Sequence, residues 1–248
     1  MKAIPHRAAT RGFTLIELLV VIAIIAILAG LLLPALAGAK TRAKITQAKT
    51  EMGGLETAFK TYESEYNRMP AHKAGEVAVQ GNANFPDFTF GTTGTQISTP
   101  GSVVPNPITT GIGGAVEENN SALMSILMNR PVGANTNYSR NPRKIPLFTG
   151  KDVSGPDPGV GPDLVFRDPW GNPYIISLDM NDDDKTFDGF YRKIPNGDKV
   201  GLTKNPSVNN DYEANRSIMI WSLGPDKSAD NTVGAKDGVN KDNVLSWQ

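Results

Sequence analysis

Residues 18–33 form an almost purely apolar run, and no charged residue stands between Glu17 and Lys40. A helix over residues 13–33 rises ~1.5 Å per residue, giving about 31 Å, the thickness of a bilayer's hydrocarbon core. The pattern then changes. Ile45, Ala48, Met52, Leu55, Phe59, Tyr62 and Tyr66 alternate at spacings of three and four, while Lys44, Lys49, Glu51, Glu56, Lys60, Glu63 and Glu65 take the opposite face. That periodicity predicts an amphipathic helix over residues 40–66. Gly53-Gly54 weakens its middle without ending it. Read as one helix, residues 13–66 extend about 80 Å at ~1.5 Å per residue. Pro34 removes a hydrogen bond inside it and predicts a kink.

Residues 71–118 are rich in Gly, Thr, Asn and Pro. They predict loops with one or two short strands, within a loop-rich, exposed insertion over residues 71–162. Inside it, residues 121–130 read as a short helix capped by Asn120 or Ser121. Leu123, Ile126 and Leu127 face inward, and Pro131 stops it. Leu164-Val165-Phe166, the turn Asp168-Pro169-Trp170-Gly171-Asn172-Pro173, and Tyr174-Ile175-Ile176-Ser177-Leu178 read as strand, turn, strand. Residues 217–223 alternate as a third strand. The predicted class is α+β: a long N-terminal helix, half transmembrane and half amphipathic, packed on a small C-terminal antiparallel sheet over residues 163–248.

Ahead of the apolar run stands Arg11-Gly12-Phe13-Thr14-Leu15-Ile16-Glu17. A lone carboxylate at the head of a membrane-length helix is costly and points to function. Gly12-Phe13-Thr14-Leu15-Ile16-Glu17 resembles the class III signal of type IV pilins and type II secretion pseudopilins. The resemblance implies a leader over residues 1–12, cleavage by a prepilin peptidase between Gly12 and Phe13, and methylation of the new Phe13 amine. It implies a filament-core helix over residues 13–39, with Pro34 where this family often has a helix-kinking proline, and a head helix over residues 40–70. Lys2, Arg7 and Arg11 precede the span and no acid does, so the leader is expected to stay cytoplasmic and the remainder to lie outside. Glu17 is then placed to meet an ammonium, that of its own Phe13 or of a neighbouring subunit, which makes a buried charge tolerable and sets axial register. A conventional signal peptide cut after Ala35-Leu36-Ala37 is the bland alternative. The apolar region exceeds the usual h-region, and Glu17 sits inside its beginning.

The helix exit through Tyr62, Asn67-Arg68-Met69-Pro70 and the Asp168–Pro173 turn resemble major (G-type) pseudopilins. The implied role is a structural subunit of a type II secretion pseudopilus. Its partners would be prepilin peptidase, further copies of itself, minor pseudopilins and an inner-membrane assembly platform, with the head in the periplasm. A type IV pilin for adhesion or motility is the alternative within the class. A secreted calcium-binding or hydrolytic domain with a conventional signal peptide is the alternative outside it.

The 248-residue chain has zero formal charge and no cysteine, which excludes disulfides and thiolate chemistry. It has no basic block that would mark a nucleic-acid partner. Removing Lys2, Arg7 and Arg11 leaves about −3. His6 and His72 are the two histidines, and neither a nucleophile elbow nor a phosphate loop occurs, so no enzyme is expected. Asp179-Met180-Asn181-Asp182-Asp183-Asp184 begins like an EF-hand loop. Asp184 stands where glycine is needed and Phe190 where the bidentate Glu belongs, so a solvated acidic tip is expected there. The strings Ser222-Leu223-Gly224-Pro225-Asp226 and Asp242-Asn243-Val244-Leu245-Ser246-Trp247 resemble the C-terminal calcium loop of major pseudopilins. That resemblance implies Ca2+ held by the Leu223 carbonyl and the Asp226 and Asp242 carboxylates, with Ser228 and Asp230 as further ligands. The intervening stretch, residues 229–241, is longer than the family's.

Overall fold

The computed structural model describes residues 12–79, 87–91, 119–208 and 210–248. Two compact units divide the chain, Met1–Ala43 and Lys44–Gln248. Helix α1 covers Leu15–Tyr66 and is unbroken through Gly30, position 34 and the Gly53-Gly54 pair. In the first unit its large apolar side chains, from Leu15 to Leu36, are exposed. It is long and apolar enough to cross a membrane.

The second unit is built on a four-stranded antiparallel sheet. Strands β1 (Phe88–Phe90), β4 (Ile175–Leu178), β7 (Ile218–Ser222) and β8 (Val244–Leu245) lie in that order. Phe90 faces Ile176, Ile176 faces Ile220, and Trp221 faces both Ile175 and Leu245. Strands β2 (Gly159–Val160) and β3 (Phe166–Arg167) pair with each other, as do β5 (Thr203–Asn205) and β6 (Asp211–Glu213). Helices α2 (Lys73–Val79) and α3 (Ser121–Leu127) complete the main elements.

Successive strand residues point to opposite faces, and here each face covers its own core. The stripe predicted on α1 is buried or half-buried as a set. It packs with Leu123, Ile126 and Leu127 of α3 against Phe88, Phe90, Ile176, Leu178, Ile218 and Ile220. On the other face Ile175, Met219, Trp221 and Leu245 meet Phe190, Tyr191, Ile194, Val200, Leu202 and Leu223. The alternation within residues 217–223 predicts a strand but not that both of its faces are apolar surroundings. The second core is assembled from short 3-10 turns and loops after residue 190, whose Gly, Asn and Lys content carries no periodic signal.

The α+β, pilin-like arrangement of a long helix followed by a small antiparallel sheet is therefore present. Within the expected insertion at residues 71–162 the structure departs from exposed loop. Residues 73–79 are helical, and Glu76 forms a bidentate pair with Arg140 at 2.6 and 2.8 Å. Phe88 and Phe90 are buried in the main sheet, so the sheet begins before residue 163. A short strand was expected within residues 71–118; that it joins the main sheet was not. Residues 80–86 and 92–118 of that stretch lie outside the described residues.

Helix α3 also ends sooner than Pro131 suggests, at Leu127. The Asn120 side chain does not cap it. Its amide donates to the Phe166 and Tyr174 carbonyls, and its carbonyl oxygen accepts from Phe166 N–H, so it stitches the β3–β4 hairpin instead. The helix exit is held the same way. Tyr62 donates to the Arg140 carbonyl at 2.6 Å, and Tyr66 donates to Asn141 Oδ1 at 2.6 Å.

Because the two halves of α1 bury different amounts of surface, equal truncations should differ in cost. Leu55→Ala should lower stability by about 2–5 kcal/mol. Leu28→Ala should leave the second unit unchanged. Urea unfolding of the full chain in detergent, followed through the buried Trp221, measures both.

Candidate functional site

At the N-terminal end, Gly12 and Phe13 lie outside regular structure and are exposed ahead of α1. Thr14 caps the helix. Its N–H and Oγ1 both donate to Glu17 Oε2, at 2.8 and 2.7 Å, and Glu17 N–H donates back to Thr14 Oγ1 at 3.3 Å. This is a capping box, in which two otherwise orphaned groups at a helix start satisfy each other. The expected partner of Glu17 was an ammonium. With residues 1–12 still attached, the Phe13 nitrogen is an amide, and the carboxylate is satisfied by Thr14. The Thr14-x-x-Glu17 spacing in the sequence is itself the signal for this cap.

The C-terminal candidate ligands are partly gathered. Asp226 and Asp242 face each other. Burial, and then the like charge of Asp242, push the Asp226 carboxyl above its ordinary range despite a 3.0 Å hydrogen bond from Ser228 N–H. Asp242 Oδ1 is buried and accepts no hydrogen bond from the described residues. Leu223 buries its side chain in the second core. Asp230 bonds within its own turn. Its Oδ1 accepts from the Thr232 N–H and hydroxyl at 2.8 and 2.7 Å, and among the described residues no three His, Cys, Asp or Glu side chains gather at metal-binding range. Ser228 donates its hydroxyl to the Asp226 carbonyl. The long stretch over residues 229–241 is organised by buried Asn240, which accepts from Asp230 N–H and donates to the Asp230 and Gly234 carbonyls.

The turn between β3 and β4 bends at a glycine. Gly171 takes a positive φ of 90°. Asp168 does more. Fully buried, it accepts from Trp170 N–H and Asn172 N–H, each at 2.8 Å, from Asn172 Nδ2 at 3.1 Å, and from the Ser222 hydroxyl. Lys44 fixes the outside of the turn, donating to the Pro169 carbonyl at 2.7 Å and lying over the Trp170 ring. A second buried carboxylate, Asp188, accepts from Ser177 Oγ, Trp221 Nε1, Phe190 N–H and Tyr191 N–H.

In the other acidic loop, residues 181–184 are exposed as expected of a solvated tip, but Asp179 is buried. Its carboxylate accepts from the N–H groups of Asn181, Asp182 and Asp184 and shapes the turn. Asp87 ties β1 to this loop by accepting from Met180 and Phe187 N–H. Burial, reinforced by Asp179 and Asp183, pushes Asp87 up to about 8.

The family described as the prokaryotic N-terminal methylation motif matches residues 7–33. The type II secretion system core protein G of Pectobacterium carotovorum subsp. carotovorum is 42% identical over 65 residues, 26% of this chain and 42% of that protein. The type IV major pilin protein PilA of Myxococcus xanthus is 43% identical over 74 residues, 29% of this chain and 34% of that protein. The Escherichia coli core protein G is 40% identical over 65 residues, 26% of this chain and 45% of that protein. The match thus spans less than half the length of each of these relatives. No solved structure matches the chain significantly. The chain carries a prepilin-type methylation motif on an apolar N-terminal helix, and its relatives are named as secretion core proteins and pilins.

An aspartate whose folded pKa is raised binds its proton more tightly folded than unfolded. Stability therefore falls as pH rises from its unfolded value near 4 through about 8. Asp87→Asn should remove its share of that decline. Urea midpoints of the full chain between pH 4 and 8 should fall less steeply in the variant than in the wild type.

Proposed function

We propose that this chain is a structural subunit of a type II secretion pseudopilus rather than an enzyme. Prepilin peptidase cuts it between Gly12 and Phe13 and methylates Phe13. The subunit sits in the inner membrane with its leader cytoplasmic and its head periplasmic, the direction set by Lys2, Arg7 and Arg11. It then polymerises through α1 with copies of itself and minor pseudopilins on an inner-membrane platform, supporting export of proteins across the outer membrane.

The observation that carries this reading is the combination at one helix end. Exposed Gly12-Phe13 precedes a capped helix with a lone Glu17, followed by exposed large apolar side chains from Leu15 to Leu33 and at Leu36. A soluble chain rarely exposes so continuous an apolar surface, and lipid or neighbouring α1 helices would cover it. Cleavage turns the Phe13 amide into an amine and supplies the cation that Glu17 lacks in the longer chain. A type IV pilus role is the second reading, favoured by the 43% identity to the Myxococcus pilin. The Asp168–Pro173 turn and the Asp226/Asp242 pair favour secretion.

A calcium ion at the C-terminal loop belongs to the same proposal. Hard divalent cations take oxygen ligands, and Ca2+ takes six to eight. Two facing carboxylates and the orphaned Asp242 Oδ1 fit such an ion. Asp226, Asp242 and the Leu223 carbonyl would hold it, with the Ser228 carbonyl in reach of the same loop. Asp230, whose Oδ1 accepts from the Thr232 N–H and hydroxyl, would be a weaker ligand. Bound calcium would relieve the repulsion between the two carboxylates and pin β8 to the end of β7.

Two experiments test this. Expressed with a type II assembly system, the wild type should appear in the sheared-filament fraction. Glu17→Leu should remain in the membrane, processed but unassembled. Normal assembly of Glu17→Leu would contradict the role given to Glu17. Separately, calcium at ~100 times its Kd should stabilise the full chain in detergent by about 2.7 kcal/mol. That gain should vanish in Asp242→Asn, and a wild type whose melting ignores calcium would remove the ion from the account.

A further inference from the structure

The Asp168 hub and the acidic loop share one residue, Gly224. Ser222 Oγ donates to Asp168 and accepts from Gly224 N–H at 3.0 Å. Asn172 Nδ2 donates to Asp168 at 3.1 Å and to the Gly224 carbonyl at 3.0 Å. Gly224 is thus gripped at both of its backbone polar groups by side chains that converge on one buried carboxylate. It has a φ of 69°, and a Cβ there would overlap the Asp242 carbonyl. The grip therefore presses this point of the loop against the backbone of Asp242.

The consequence follows from peptide geometry. A trans peptide is planar, so the Leu223 carbonyl points opposite to the Gly224 N–H. Fixing that N–H on Ser222 Oγ fixes the direction of the Leu223 carbonyl, away from the hub. Fixing the Gly224 carbonyl on Asn172 sets the next peptide plane. Pro225 then holds its own φ near −65°, which leaves Asp226 little freedom in where it leaves the turn. The Leu223 carbonyl and the backbone entering Asp226 are thereby set from one side, while the close approach of Gly224 holds the Asp242 backbone on the other.

We propose that Asp168, Asn172 and Ser222 are positioning residues for a divalent-cation site: they clamp Gly224 and so preset the Leu223 carbonyl and the Asp226 and Asp242 carboxylates before the ion arrives. This inference rests on the calcium reading above. It gives the hairpin turn a role beyond packing, because a residue about fifty positions upstream in sequence sets cation affinity without touching the ion. Groups that orient metal ligands typically change affinity about 10–100-fold when removed.

The test is calorimetric titration of calcium chloride into the full chain in detergent, paired with melting in chelator. Asn172→Ala and Ser222→Ala each release one end of Gly224 and leave Asp168 in place. Each should raise the calcium Kd about tenfold or more. Ser222→Thr keeps the hydroxyl and should return the Kd to the wild-type value. Tyr62→Phe, which loses the buried bond to the Arg140 carbonyl outside the loop, should melt earlier in chelator with its calcium Kd unchanged. A wild-type Kd in Asn172→Ala and Ser222→Ala overturns the clamp and leaves calcium binding standing. An equal rise in Tyr62→Phe overturns it too, since general loosening would then explain the effect. A wild type with no saturable heat overturns the clamp and the calcium reading together.

Discussion

One helix must serve two surroundings. The first half of α1 is apolar on every side, and the second half is apolar on one stripe. A helix apolar all round needs lipid or other helices, whereas a striped helix needs a single core. The second half meets that need within the chain, through Met52, Leu55, Phe59 and Tyr62 on the sheet. The first half does not, and its large apolar side chains from Leu15 to Leu33 and at Leu36 remain exposed. That inequality makes the molecule an anchored head, and it makes assembly the natural way to cover what folding leaves uncovered.

Two buried carboxylates carry much of the polar order in the head. Asp168 and Asp188 each collect four donors, and each links a loop to the central strand β7, through Ser222 and Trp221 respectively. Removing such a carboxylate would strand its donors in the interior, which costs more than the bonds themselves contribute. The asparagines act likewise at lower charge. Asn120 satisfies carbonyls on either side of the β3–β4 turn, Asn141 a carbonyl in the last turn of α3, and Asn240 a carbonyl of the loop over residues 229–241. A head with short strands, many turns and no cysteine is held by side chains that replace the missing ladder bonds.

The long-range plan was legible in the sequence because it is written in periodicity. The apolar run, the stripe at spacings of three and four, and the alternation through residues 217–223 each survive as an element. What was not legible lacks a period. That the short strand Phe88–Phe90 pairs with β4 in the main sheet is one such feature. The second core draws Tyr191, Val200 and Leu202 from separate turns. Asp168 looked like turn chemistry because one position cannot announce a partner about fifty residues away. At the N-terminus, Glu17 was recognised as unusual, yet its bond to Thr14 follows from a local rule that needed no tertiary knowledge. At the C-terminus, Asp226 and Asp242 meet across a long loop, while Asp230, equally acidic in sequence, is turned to Thr232.

The claim that ties these features together is that the chain is trimmed so that Glu17 gains a cation at the head of an exposed apolar helix. Intact mass and N-terminal peptide analysis of protein recovered from cell membranes tests it most directly. The account predicts a chain that begins with N-methylated Phe13 and retains every residue after it. A chain beginning near Gly38 would contradict it, since the apolar half of α1 would then be a discarded export signal and the head a free domain.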